Sequence, residues 1–126
     1  MLEIVATPGF GQVNLKHLVS DFTGTLSVHG RLVPGVRVLL NKISEILDVH
    51  VLTADTFGMA RSELSGVACR VHILAGSNED LQKEEYVRTL GAENVIALGN
   101  GNNDRKMLKA ASGTGAGVAI GLMSIT

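Results

Sequence analysis

His17-Leu18-Val19-Ser20-Asp21-Phe22-Thr23-Gly24-Thr25 is a short, mostly apolar run that ends in a carboxylate and turns at once through a glycine. A buried strand that delivers an acid to its C-terminal end is how an open parallel sheet presents chemistry. The rhythm repeats outward from this stretch. Val49-His50-Val51-Leu52-Thr53, Arg70–Leu74, Asn94–Leu98 and Gly117–Ile120 read as further strands. Helical patterns separate them. After Pro34-Gly35, apolar residues at Val36, Leu39, Leu40, Ile43, Ile46 and Leu47 form an apolar stripe at helical spacing. Thr56–Leu64 predicts a helix weakened by Gly58, and Asn103–Ala111 predicts another. Ser77 and Asp80 have capping-box spacing ahead of Leu81, Tyr86, Val87 and Leu90, with Gly91 as the stop. Before all of this, Leu2–Ala6 and Gln12–Lys16 flank Thr7-Pro8-Gly9-Phe10-Gly11, which predicts a β-hairpin with a long loop.

Strands alternating with helices imply βαβ units. The expected fold is α/β: a three-layer, doubly wound parallel sheet with an N-terminal β-hairpin, one domain over residues 1–126. The strands are near-continuous apolar runs, as a sheet covered on both faces requires. Composition excludes several classes. Eleven basic and twelve acidic residues give a net charge of −1, so no electrostatic footprint for nucleic acid or anionic lipid is expected. Three Phe, one Tyr and no Trp leave few platforms for stacking bases. No apolar run reaches the ~18 residues of a membrane span. The single Cys69 excludes a disulfide framework and cysteine-rich zinc sites. With no signal peptide read at Met1-Leu2-Glu3-Ile4, a cytoplasmic location is expected.

Four polar residues recur where strands end or the following helices begin. Thr53 follows Asp21 by 32 residues and Lys83 follows Thr53 by 30, about one βαβ period each, and Asp104 opens the last helix. One edge of the sheet would collect all four. Their chemistry is coherent. Asp21 can attack phosphorus or ligate a metal, Thr53 offers a hydroxyl, Lys83 a point charge for phosphate, and Asp104 oxygens for a hard cation. Thr23-Gly24-Thr25 forms a tight loop whose N–H groups could face an oxyanion.

These residues resemble the motifs of the haloacid dehalogenase (HAD) superfamily. Asp21-Phe22-Thr23-Gly24-Thr25 resembles its first motif, DxDGT. The strand ending in Thr53 resembles the second, Lys83 the third, and Gly99-Asn100-Gly101-Asn102-Asn103-Asp104 the fourth, GDGxND. The order is the family's, over about residues 17–121. Within it the chain most resembles the phosphorylation domain of P-type ATPases, which carries DKTGT, and a group of capless soluble proteins related to that domain. The resemblance implies an Mg²⁺-dependent phosphohydrolase or phosphotransferase working through an aspartyl-phosphate on Asp21. It implies Asp21, Thr23 (backbone carbonyl), Asn100 and Asp104 around Mg²⁺, and Gly24, Thr53, Lys83 and Asn103 around the phosphoryl group. The substrate implied is a phosphorylated small molecule or phosphoprotein.

Two positions depart from the phosphatase pattern. The acid/base Asp two residues after the nucleophile is Thr23, which does not titrate near neutrality. Such a group contributes ~10²–10⁴-fold, so slow turnover is expected. Asn100 replaces an Asp and loses one charge toward the metal. Residues 26–48 and 54–82 are too short for a cap domain, so the site is expected to be open, with a homo-oligomer as one way to cover it. The resemblance also implies that the family's last helix and strand are missing after Thr126. The competing reading is a phospho-accepting or ligand-binding regulatory module with little turnover. Receiver domains share the residue types, but their acidic pair precedes the acceptor, whereas here the Asn/Asp motif comes last. His17, His29, His50 and His72 have no metal-site spacing and read as structural, Cys69 and Met107 as core.

Overall fold

The computed structural model describes residues 3–5, 12–54, 58–100, 104–112 and 118–121. The chain order is β1 (Glu3–Val5), β2 (Gln12–Asn14), β3 (His17–Asp21), β4 (Ser27–Val28), β5 (Arg31–Leu32), α1 (Val36–Ile43), β6 (Asp48–Thr53), α2 (Met59–Glu63), β7 (Arg70–Ile73), α3 (Glu79–Leu90), β8 (Val95–Gly99), α4 (Arg105–Ser112) and β9 (Val118–Gly121). Five strands form the central sheet in the order β7-β6-β3-β8-β9, and every pairing in it is parallel. The strand containing Asp21 is the middle one. The chain builds outward from it on one side through β6 and β7, then returns to its other side for β8 and β9. The topological switch point therefore lies at the C-terminal end of β3.

Side chains alternate across a strand, and here the alternation sorts them into two cores. Leu18, Val49, Val51 and Ile96 pack with Leu40 of α1 and with Ala60 and Leu64 at α2. Val19, Leu52, Val95 and Ala97 pack with Val87 of α3 and with Met107, Ala110 and Ala111 of α4. Two apolar layers on opposite faces of one sheet are what the continuous apolar strands require, and they make the expected doubly wound architecture. Met107 is core as read, and half-buried Cys69 packs against the first cluster.

Local details differ from the sequence reading. The helix after Pro34-Gly35 ends at Ile43, so Ile46 falls beyond it; Leu39 (55 % exposed) and Ile46 lie in solvent, and Leu40 is the one fully buried residue of α1. A helix this short cannot turn all six apolar positions toward one sheet. α3 starts one residue later than a Ser77 capping box requires. Its N-cap is Asn78, in the left-handed region, with no side-chain cap bond. Gln82 organises that end instead, accepting from the Ala75 N–H and donating to the Ala75 and Ser77 carbonyls. Gly91 does end the helix. The loop read between Asp21 and α1 contains a small antiparallel hairpin, β4–β5. The N-terminal hairpin is present, but β1 and β2 form a sheet of their own and pair with neither edge of the central sheet. It is tied on through the Asn94 amide, which donates to the Asn14 carbonyl. Among the described residues no helix is long and apolar enough to cross a membrane.

His17 and His50 join a part-buried polar row, while His29 and His72 are exposed. The ring nitrogens His17 Nδ1 and His50 Nε2 are 3.1 Å apart, and His50 Nδ1 is 2.8 Å from the Tyr86 hydroxyl. Burial, with the charges of His17 and Arg70, pulls the His50 pKa down to about 4. The unfolded chain takes up this proton near the ordinary imidazole value and the folded chain resists. The stability His50 contributes is thus full above about pH 6.5 and lost as pH falls toward about 4, a span of roughly 2–3 kcal/mol. Asp21, described below, has the opposite slope, so the wild-type profile mixes the two. Urea titrations of wild type and His50→Gln should separate them: their stability difference is expected to shrink by that amount between neutral and acid pH. A difference constant with pH would show that His50 is not held neutral.

Candidate active site

Asp21 is the last residue of β3, and its register partner on β6 is Leu52, which puts Thr53 one residue further along the same sheet edge. Both are buried. Immediately after Asp21 the chain wraps around one carbonyl. Phe22 O accepts from the N–H groups of Leu26 and Ser27 and from the Ser27 hydroxyl, while the Phe22 ring is sunk in the core. Gly24 has φ +74°, a conformation that favours glycine. Its N–H donates to Ser27 O, and the Thr25 N–H donates to Phe22 O. These two N–H groups, read from the sequence as open to an oxyanion, are therefore used to close the loop. Thr23 is exposed and bridges to Ser27. The Thr25 hydroxyl reaches Asp21 Oδ2 at 3.5 Å.

Lys83 comes from the second turn of α3 and is 3 % exposed. The periodicity explains why: it shares a helix face with buried Val87, so its stem runs over the core and its ammonium emerges at the sheet edge. There Nζ donates to Asp21 Oδ1 at 3.2 Å and to Asp104 Oδ1 at 2.8 Å. Asp104 is 1 % exposed, and its second oxygen accepts from the Asn100 N–H at 3.0 Å. The Asn100 side chain reaches across the cleft, its Nδ2 donating to Gly24 O at 2.6 Å. The end of strand β8 and the loop after Asp21 are thereby pinned together. Asp21, Lys83 and Asp104 meet, with Gly24, Thr25 and Asn100 around them. Asn103 lies outside the described residues.

The electrostatics follow from two buried carboxylates sharing one cation. Burial pushes the Asp21 pKa up to about 6; Lys83 opposes this and Asp104 adds to it. Burial works against the Lys83 charge, but the hydrogen bond to Asp104 and the attraction of both carboxylates outweigh it and hold its pKa above the ordinary lysine value. With both carboxylates ionised the trio of side chains sums to a charge of −1. The donors around it are hard oxygens: two carboxylates, the Asn100 amide and backbone carbonyls. Among the described residues no group of three His, Cys, Asp or Glu side chains gathers to hold a metal. Two carboxylates with the remaining positions left to water and phosphate match the preference of Mg²⁺. The residues present fit that ion.

Two participants were not singled out from the sequence. Thr25 was visible inside the Thr23-Gly24-Thr25 loop. Gly99 was visible as the start of the fourth motif, but its role is purely steric. A Cβ there would lie 2.6 Å from both Cβ and Cγ of Asp104, too close for real contacts. Gly99→Ala is expected to lower stability by about 1–3 kcal/mol and to push Asp104 off Lys83. Thermal unfolding together with the Lys83 ammonium resonance checks this, and an unchanged resonance would show that Asp104 had not moved.

No protein-family model matches the chain. No curated protein matches it either. Solved structures do. The chain is similar to a protein assigned to the HAD family of hydrolases from Streptomyces avermitilis (TM-score 0.66, 16 % identity, 90 % of this chain and 74 % of that one). It is also similar to the cobalt-bound deoxy-D-mannose-octulosonate 8-phosphate phosphatase of Haemophilus influenzae (TM-score 0.61, 15 % identity, 86 % and 68 %). A third is the core domain of a protein assigned as a phosphoglycolate phosphatase from Streptococcus pneumoniae (TM-score 0.51, 16 % identity, 90 % and 84 %). At these identities the likeness shows the fold alone, which is a HAD-like α/β fold.

Proposed function

We infer that the chain is a capless HAD-like phosphohydrolase or phosphotransferase that forms an aspartyl-phosphate on Asp21. The observation that carries this reading is Lys83 Nζ held 3.2 Å from Asp21 and 2.8 Å from Asp104 at the switch point of the sheet. A lysine buried there without phosphate chemistry to serve would be a costly device, because desolvating two carboxylates and an ammonium is repaid only in part by their attraction. The likeness in fold to phosphatases supports the same conclusion. The P-type ATPase-like relation is part of the proposal and rests on the first-motif threonine, Thr23.

Asp21, Asp104, the Asn100 amide oxygen and the Thr23 carbonyl would hold Mg²⁺, which supplies charge neutralisation at the phosphoryl oxygens. The chain's own residues do the rest. The Asp21 carboxylate attacks phosphorus, the new Asp21–O–P bond forms, and the ester bond breaks with its electron pair leaving on the alcohol oxygen. Lys83, Thr53 and Asn103 hold the phosphoryl oxygens in line. Water then attacks phosphorus and the bond to Asp21 breaks. Phosphate is released carrying one of the water's protons, Asp21 is again a carboxylate, and the second proton passes to solvent, balancing the proton that the departed oxygen takes from solvent.

Thr23 decides the substrate. With no acid at that position the leaving oxygen departs unprotonated, so acyl and aryl phosphates are favoured over alkyl ones. Restoring the acid as Thr23→Asp is expected to raise the rate on alkyl phosphates by roughly 10²-fold and on aryl phosphates much less. Equal gains on both would argue against a missing acid. The overall test is incubation with Mg²⁺ and acetyl phosphate or an aryl phosphate, following both released phosphate and protein mass. Fast, metal-dependent release supports the enzyme.

The same exposed threonine favours a second reading, a phospho-accepting module. Nothing at position 23 can activate the hydrolytic water, so the phosphorylated form would persist. A stable mass gain of one phosphoryl group with little release would support it. Absence of both label and release with acetyl phosphate and with the aryl phosphate would remove both readings.

A further inference from the structure

Beyond the active centre, a cavity lies between edge strand β7 and helix α3, with a volume of about 670 Å³. Arg70 and His72 are two residues apart on β7 and therefore share a face; their register partners on β6 are His50 and Leu52. Tyr86 of α3 stands over this face. Its ring lies 5.4 Å from that of His50, edge-on, and 5.3 Å from that of His72. The Tyr86 hydroxyl is already engaged with His50 Nδ1. One wall is therefore a fixed set of flat rings. Leu81 and Leu90 add apolar surface from α3.

The charge is as specific as the shape. Among the described residues Arg70 forms no ion pair, although its positive field is felt by both His50 and Tyr86. A guanidinium left open beside an aromatic wall is suited to a planar carboxylate, which it can bind through two parallel hydrogen bonds. Glu85 also lines the cavity and disfavours a doubly charged anion such as phosphate. The volume falls within the ~300–1,000 Å³ of small-molecule sites. We propose that the cavity between α3 and β7 is a second ligand site, and that it takes a flat aromatic or heteroaromatic monocarboxylate, its ring against Tyr86 and His72 and its carboxylate on Arg70.

The chain contains one tyrosine and no tryptophan, so tyrosine ring resonances report on this cavity alone. Pyridine-3-carboxylate is the probe, titrated into the intact protein while the Tyr86 and His72 ring signals are followed. Saturable shifts of both rings are expected. Arg70→Gln, at an exposed position, should weaken binding roughly tenfold, and the neutral pyridine-3-carboxamide should bind wild type weaker by a similar factor. Leu81→Glu, also exposed, should weaken the carboxylate by introducing like charge into the wall. Retained Tyr86 and His72 shift dispersion before ligand is added verifies that each variant is folded. No saturable shift, or equal binding of acid and amide, or undiminished binding by both folded variants, would overturn the proposal.

Discussion

Asp21→Asn is expected to abolish phosphate release and covalent labelling while leaving the fold intact. The amide is the same size as the carboxyl and can still accept from Lys83, so the geometry of Lys83 against Asp104 is kept. On the proposed mechanism what is lost is the nucleophile, and removal of a nucleophile from a cooperating site costs on the order of 10³-fold or more. The variant also tests the electrostatics. Asp21 binds its proton more tightly in the folded state than in the unfolded one. Its contribution to stability is therefore full below its ordinary value of 3.8 and lost as pH rises through about 6. The variant has no such group, so at neutral pH it should be at least as stable as wild type. Activity within tenfold of wild type, or collapse of the variant at neutral pH, would contradict the assignment. The first outcome removes the nucleophile and the second removes the account of the buried charge.

Lys83→Met should do the reverse, costing stability as well as activity. Methionine fills the stem of the lysine over Val87 but leaves Asp21 and Asp104 buried without their shared cation. Breaking a buried pair on one side typically costs 3–5 kcal/mol, a large part of the ~5–15 kcal/mol that a small domain has. The loss should depend on pH. Without Lys83 its charge and its hydrogen bond no longer lower the Asp21 pKa, which then rises further; only the Phe22 backbone hydrogen bond still opposes the rise. At acid pH Asp21 is then protonated, the repulsion from Asp104 is relieved, and the variant should recover most of its stability. Urea unfolding at neutral and acid pH reads this directly. A uniform loss across pH would assign the effect to packing, and no loss at neutral pH would mean that Lys83 does not neutralise the carboxylates.

Much of this site was legible before any coordinates. Asp21 and Thr53 end apolar strands; each alone is an ordinary strand-end residue, and it is their order with Lys83 and Asp104 that pointed to one sheet edge. Lys83 could be suspected because it shares a helix face with Val87 and Leu90, where a solvated lysine is out of place. Other features were not legible. Leu39, Ile46 and Leu81 have the right periodicity to be buried, yet they are exposed: α1 ends at Ile43, and Leu81 lies at the open cavity between α3 and β7. The Gly24 N–H looked open, yet the Phe22–Ser27 turn uses it. The histidines were read as structural. His17 and His50 do build a part-buried polar row, but His72 and Tyr86 turn part of it into the wall of a cavity that no spacing announces.

By itself the sequence determined the alternation of strands and helices from β3 onward, though not the β4–β5 hairpin or every helix end, and hence a parallel sheet covered on both faces. These depend on periodicities of two and 3.6 residues, which are local and survive in one dimension. It also determined the order in which acid, hydroxyl, amine and second acid occur. Only the tertiary structure decided that Lys83 fits between Asp21 and Asp104, that Gly99 must lack a side chain, and that β7 and α3 leave a space with Arg70 open beside it. Those are distances between residues far apart in the chain. They are set by strand order and by how two cores pack at once, which no local pattern encodes.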